Sequence, residues 1–175
     1  VTQTSLFGAL PPPSAVMSPC GLYRYRLERH LRPDGPVVAV VMVNPSTATA
    51  DEDDHTVKKV IGFGRRLGWG RIIVGNLFSY RATDIDDLKT VQDPAGPDNL
   101  SHIAAILDDA DLTVVAWGAT RKMPESLRQS WRPIADLMGQ HGRVPQCWGV
   151  NADGHPKHPM ILSYRLPLRD WNPPA

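Results

Sequence analysis

Seven consecutive apolar residues, Val37 to Val43, run directly into Asn44-Pro45-Ser46-Thr47-Ala48. A β-branched run without polar alternation reads as a strand covered on both faces, the kind found in parallel sheets. Pro45 has no N–H to give to a ladder and drives Asn44 into an extended conformation, so the strand ends there. In open α/β sheets ligands bind beyond the carboxyl ends of the strands. The chain therefore sets an amide, two hydroxyls and a rigid turn where such proteins do their chemistry.

The rest of the chain extends this pattern. Leu22 to Arg29 is rich in strand formers but alternates poorly, and reads as an edge strand or arm. After Val37–Val43 comes a helix from about Asp53 to Leu67, acidic at its start, with Arg65, Arg66 and then Gly68 at its end. Arg71 to Phe78 is a second buried strand, followed by a polar loop and a short helix over Ile85–Val91. Pro97-Asp98-Asn99 opens a helix with Leu100, Ile103, Ala104 and Leu107 on its inner face. A third strand covers Leu112–Trp117. A helix over about Pro124–Met138 is expected to kink at Pro133, and a fourth strand spans about Val144–Val150. The tail from Asn151 reads as loop. The order β-α-β-α-β-α-β, with crossovers long enough for parallel pairing, predicts a three-layer α/β/α sandwich around a small parallel sheet of about four strands.

Composition narrows the function classes. With 175 residues the chain suits one domain, expected over 20–175 behind a flexible, Pro-rich lead-in over 1–19. No apolar run reaches the roughly 20 residues needed to span a membrane, and no secretory pattern opens the sequence, so a cytoplasmic monomer is expected. Cys20 and Cys147 lie far apart without metal-type spacing, and two idle thiols are expected rather than a disulfide. The net charge of +1 is far from the basic excess of a protein that grips nucleic acid by charge alone. The positive charge is mostly arginine, whose fork suits phosphate and stacking contacts; GC-rich coding enriches arginine equally well. The acidic run Asp51-Glu52-Asp53-Asp54-His55 reads as a helix start rather than a metal site. Neither metal nor cofactor is expected.

Each strand ends in a polar or glycine-bearing motif on what should be one edge of the sheet. The motifs are Asn44-Pro45-Ser46, then Asn76 with Ser79-Tyr80-Arg81, then Trp117-Gly118, and finally Gly154-His155-Pro156-Lys157-His158-Pro159. With these motifs the chain, over roughly Cys20 to Trp171, resembles a bacterial and phage family marked by an Asn-Pro-Ser-Thr-Ala signature. That family in turn resembles the uracil-DNA glycosylase superfamily. The matching segments, in chain order, are Met42-Val43-Asn44-Pro45, Val74-Gly75-Asn76, Ala116-Trp117-Gly118 and His158-Pro159-Met160.

The resemblance implies a uracil-DNA glycosylase-like fold and cleavage of an N-glycosidic bond in DNA. The base is uracil, thymine or a modified pyrimidine such as hydroxymethyluracil, flipped out of the strand. Asn44 would place the attacking water, and His158 would donate a hydrogen bond to the anion that develops on the base carbonyl. His155, also followed by proline, competes for that role. Asn76 would read the pyrimidine edge through its donor and acceptor. The superfamily keeps an aromatic residue some dozen positions after the first motif. This chain has His55-Thr56-Val57 there, so His55, Phe78, Tyr80 or Trp117 would have to form the base wall. Ser46, Thr47, Arg81, Lys122, His155 and Lys157 are the candidate phosphate contacts. Two other readings stay open, a nucleic-acid or nucleotide binding module without turnover and an N-glycosidase acting on free nucleosides or nucleotides.

Overall fold

The apolar run forms strand β3 (Val37–Met42) at the centre of the sheet, and all but its first residue are buried. The computed structural model describes residues 9–174. Strands β1 (Ser14–Met17), β2 (Arg24–His30), β4 (Arg71–Asn76), β5 (Leu112–Val115), β6 (Gln146–Cys147) and β7 (Arg169–Asp170) join it in one seven-stranded sheet. The strand order is β1-β2-β4-β3-β5-β6-β7. Strands β4, β3, β5 and β6 run parallel, whereas β1 and β2 on one side and β7 on the other are antiparallel.

The expected small sheet of about four parallel strands, in a three-layer sandwich of uracil-DNA glycosylase type, is therefore overturned by a mixed sheet of seven strands. Leu22–Arg29 does not lie at an edge, because β1 pairs outside it from within the expected lead-in. The first eight residues of that lead-in lie outside the described ones. The strands missed by periodicity are short and exposed: β1 has no fully buried residue, and β7 is two residues long. Backbone pairing rather than a buried face makes them strands.

Helix α1 (His55–Leu67) begins where the Asp54 carboxylate accepts from the Val57 N–H at 2.8 Å, and stops at Gly68 in the left-handed region. Asp53 pairs with Arg29 at 2.7 Å, so the acidic run is accounted for by a cap and an ion pair. Helix α2 (Asn99–Asp109) follows β4. Helix α3 (Arg132–Gln140) is shorter than its pattern predicts, because Pro133 sits in its first turn, where a missing N–H costs nothing. Ahead of it only a 3-10 turn forms, over Glu125–Leu127, and Ile85–Thr90 is likewise 3-10. The expected strand over 144–150 shortens to β6. The tail carries a 3-10 turn over Pro159–Ile161 as well as β7.

Two apolar clusters lie on opposite faces of the sheet. Val57, Val60 and Phe63 of α1 pack with Val38, Val40 and Met42, while Ile103, Ile106 and Leu107 of α2 and Ile134 and Met138 of α3 pack with Ala39, Val41 and Val115. Each large side chain so buried contributes about 1.5–3 kcal/mol. Gly75 admits α2 against the sheet, since a Cβ there would stand 2.5 Å from Ile103 Cδ1. Cys20 is exposed and Cys147 buried, both as free thiols. Among the described residues no helix is long and apolar enough to cross a membrane.

Candidate functional site

The order of the strands fixes where a cavity opens. The connection from β3 through α1 leads to β4 on one side, and the connection from β4 through α2 returns across β3 to β5 on the other. Because α1 follows β3 on one face and α3 follows β5 on the other, the chain leaves the carboxyl ends of β3 and β5 in diverging directions. A crevice results at this switch point. There lies a cavity of about 1210 Å³, above the 300–1,000 Å³ usual for small-molecule sites. Asn44 and Ser46 after β3, Trp117 and Gly118 after β5, and Lys157 and His158 after β6 all line it.

The loop after β3 is held from several sides. Buried Arg24 donates to the Ala48 carbonyl, and Arg29 donates to the Thr49 carbonyl and to Asp53, both at 2.7 Å. The Leu77 and Phe78 amides donate to the Met42 and Val43 carbonyls, and the Ala82 amide to Pro45. This stitches the loops after β3 and β4 together. The Asn44 side chain joins them too, its Nδ2 donating to the Ala82 carbonyl at 2.7 Å and the Pro45 carbonyl at 3.1 Å. Both amide hydrogens are thereby engaged. The Oδ1 acceptor has no donor among the described residues, and it belongs to a residue of the cavity wall.

His158 caps the 3-10 turn that follows it, its Nδ1 accepting from the Met160 N–H at a long 3.5 Å. An N–H aimed at Nδ1 leaves the ring proton on Nε2, a donor. Burial holds the His158 pKa below the usual imidazole value, and the nearby Lys122 charge adds to this against the opposing pull of Asp54. The ring is therefore neutral at pH 7. Gly118, with φ of 89°, brings the loop after β5 close to it, and a Cβ there would stand 3.3 Å from the His158 Cβ.

Other sequence candidates are placed elsewhere. His155 is buried, its ring edge-on to Trp131, and its Nδ1 accepts from Trp117 Nε1 at 3.4 Å. Burial lowers its pKa as well, with Asp153 opposing. Asn76 is buried beside Met42, its side-chain amide without a partner among the described residues and its backbone carbonyl accepting from Asn99 Nδ2 at 3.0 Å. Phe78 is fully buried in the cluster beneath α2. Tyr80 stacks edge-on against Tyr23, and His55 is the exposed first residue of α1. None of these five lines the large cavity. Trp117 does, though it is buried; Val43, Ile85, Met123, Met160, Leu162 and Leu166 form an apolar part of the wall, and Thr56, Asp84 and Ser163 join the polar part.

Ser46 borders both the large cavity and a smaller one beside it, while Thr47 and Arg81 line only the smaller. Lys122 and Lys157 lie on the large cavity with Arg121, a residue that sequence reasoning passed over. None of these cations forms an ion pair among the described residues. Also missed were Thr83, Asn151 and Ile161. Asn151 follows β6 and obeys the strand-end rule that picked out Asn44, and its Nδ2 braces the His155 and Pro156 carbonyls. Ile161 is 94% exposed at the cavity rim. No sequence pattern marks an exposed isoleucine as different from a buried one.

A family model described as "Protein of unknown function (DUF1643)" matches residues 24–160, most of the chain. Neither the curated proteins nor the solved structures include a match.

Proposed function

We propose that this chain, which belongs to the DUF1643 family of proteins of unknown function, is an N-glycosidic-bond hydrolase acting on uracil, thymine or a modified pyrimidine in DNA. The observation that carries this reading is the meeting of Asn44 and His158 in one cavity at the switch point, from segments more than a hundred residues apart. The chemistry needs an anionic leaving base, an oxocarbenium-like sugar and a placed water. The bond from the base nitrogen to the sugar C1′ breaks with its electron pair going to the base. The His158 Nε2–H supports the charge that gathers on the base carbonyl. A water held by Asn44 Oδ1 adds its oxygen to C1′, and its released proton leaves the base neutral after departure. Lys122 beside His158 favours the same developing anion.

The aliphatic and methionine part of the wall suits the apolar faces of a pyrimidine, and Arg121, Lys122 and Lys157 suit a phosphate backbone. Exposed Ile161 at the rim is a candidate wedge, since apolar side chains of this kind enter the base stack and hold it open.

Oligonucleotides carrying uracil, hydroxymethyluracil or a thymine mismatch test the proposal, read as alkali-labile abasic sites on denaturing gels. Cleavage at one of these bases supports it. No cleavage on any strand, with DNA binding intact, discards the hydrolase in favour of a binding module. Ile161→Ala is expected to lower the rate on duplex by about tenfold or more while changing single-strand rates little, because only the duplex has a stack to open, at a few kcal/mol. Equal losses on both substrates would remove the wedge role.

A further inference from the structure

The smaller cavity, about 310 Å³, is formed by Gly21, Leu22, Ser46, Thr47, Arg81, Ala82 and Thr83, and it shares Ser46, Ala82 and Thr83 with the large one. Three hydroxyls and a guanidinium face it from different loops, and no carboxylate is among its residues. Arg81 is exposed and forms no ion pair among the described residues. A second guanidinium, that of Arg24, lies near enough for the Arg81 charge to act on it. Arg24 is only 2% exposed, takes no part in an ion pair among the described residues, and leaves its Nε without a partner. Burial brings its pKa down to about 10, with Arg81 and Arg29 adding to the fall against Asp54. Asp54 answers the buried Arg24 charge, whereas the exposed Arg81 guanidinium on the cavity wall has no carboxylate partner among the described residues. The hydroxyls of Ser46, Thr47 and Thr83 beside the Arg81 guanidinium match an anion with several acceptor oxygens.

The position of this pocket in the fold narrows the anion further. Its loops precede β2 and follow β3 and β4, so it lies on the β4 side of β3. Arg121, Lys122 and Lys157 follow β5 and β6, on the other side. Asn44 stands between the two groups, at the end of β3.

We propose that the smaller cavity is a phosphate subsite, taking the phosphodiester next to the nucleotide whose base enters the large cavity, so that the substrate is a nucleic-acid strand laid across the end of β3 and not a free nucleoside. This rests on the hydrolase reading for the meaning of the large cavity, but its test needs no turnover. Fluorescence anisotropy with a labelled, uracil-containing DNA single strand is followed over a salt series, with inorganic phosphate as competitor.

Arg81→Gln is expected to weaken strand binding about tenfold. It should also flatten the slope of log affinity against log salt by about 0.7, the value of one phosphate contact on a single strand. Thr83→Val weakens binding severalfold and leaves the slope alone, since it removes a neutral hydroxyl. Inorganic phosphate competes with the strand on the wild-type protein and loses that effect on Arg81→Gln. Arg66→Gln, exposed at the end of α1 and away from both cavities, controls for loss of net charge. An Arg81→Gln protein with the affinity and slope of the Arg66→Gln control overturns the subsite, as does a wild-type protein that does not bind the strand. Competition by phosphate that survives Arg81→Gln places the anion elsewhere and overturns it too. A flattened slope without any abasic product keeps the subsite and discards the hydrolase; abasic product with an unchanged slope does the reverse.

Discussion

Asn44→Ala is expected to slow abasic-site formation by about 10²-fold or more under single-turnover conditions, because a water displaced by about an ångström loses that much. The more telling variant is Asn44→Asp. On charge alone an aspartate should speed the reaction, since a negative group would stabilise the sugar cation. The contacts of Asn44 predict the opposite. Its Nδ2 donates to the Ala82 and Pro45 carbonyls, and a carboxylate has no hydrogen to give to either. Two carbonyl oxygens would then face an anionic oxygen, and the side chain would turn away from the position proposed for Oδ1 and its water. Asn44→Asp is therefore expected to be no faster than Asn44→Ala. It should also be less stable, by about 1–3 kcal/mol from the unpaired carbonyls, which denaturant unfolding measures. An Asp variant faster than wild type would show that the amide is not held as described.

His158→Ala is expected to cost about 10²–10³ in the rate of bond cleavage, the usual effect of removing one donor to a developing oxyanion. Its pH dependence gives a sharper test. Burial and the Lys122 charge hold the ring pKa below 6.5, so the neutral form persists from neutral pH into mild acid. Below that pKa the ring gains a proton on Nδ1, where the Met160 N–H already points, and the contact becomes donor against donor. The rate of the wild-type protein is therefore expected to stay flat from about pH 8 down past 6.5 and to fall at lower pH. His158→Ala loses that acid limb along with most of the rate. A rate that climbs into acid would identify imidazolium as the active form and remove the neutral-donor role.

Residue by residue, the legible part of this protein was local chemistry at strand ends. Asn44-Pro45 announced both a strand terminus and a polar group, because proline punctuates backbone structure whatever surrounds it. His158-Pro159 carried the same kind of signal. The same rule applied to Asn76 points at a residue that is buried away from the cavity. At the very end of β4 it still lies within the sheet, in register with Met42, whereas Asn44 is two residues past the end of β3. A shift of that size, unreadable from periodicity, separates a cavity wall from a core. His155 and His158 are both followed by proline, and only packing distinguishes them. Trp117 and Trp131 enclose the first, and the approach of Gly118 leaves the second on the cavity.

By itself the sequence determined the central buried strand, the start and stop of α1, and the location of polar groups beside proline, since these follow from burial, capping and backbone sterics acting within a few residues. Only the tertiary structure decided the sheet's width, its mixed direction and the partners of its site. Strands such as β1 and β7 bury no face of their own, so they leave no pattern and exist through backbone hydrogen bonds to distant residues. The placing of Asn44 and His158 on one cavity, and of Arg81 and Thr83 on the cavity beside it, arises from the reversal of strand order at β3. That reversal is set by which helix covers which face, a property of the packed whole.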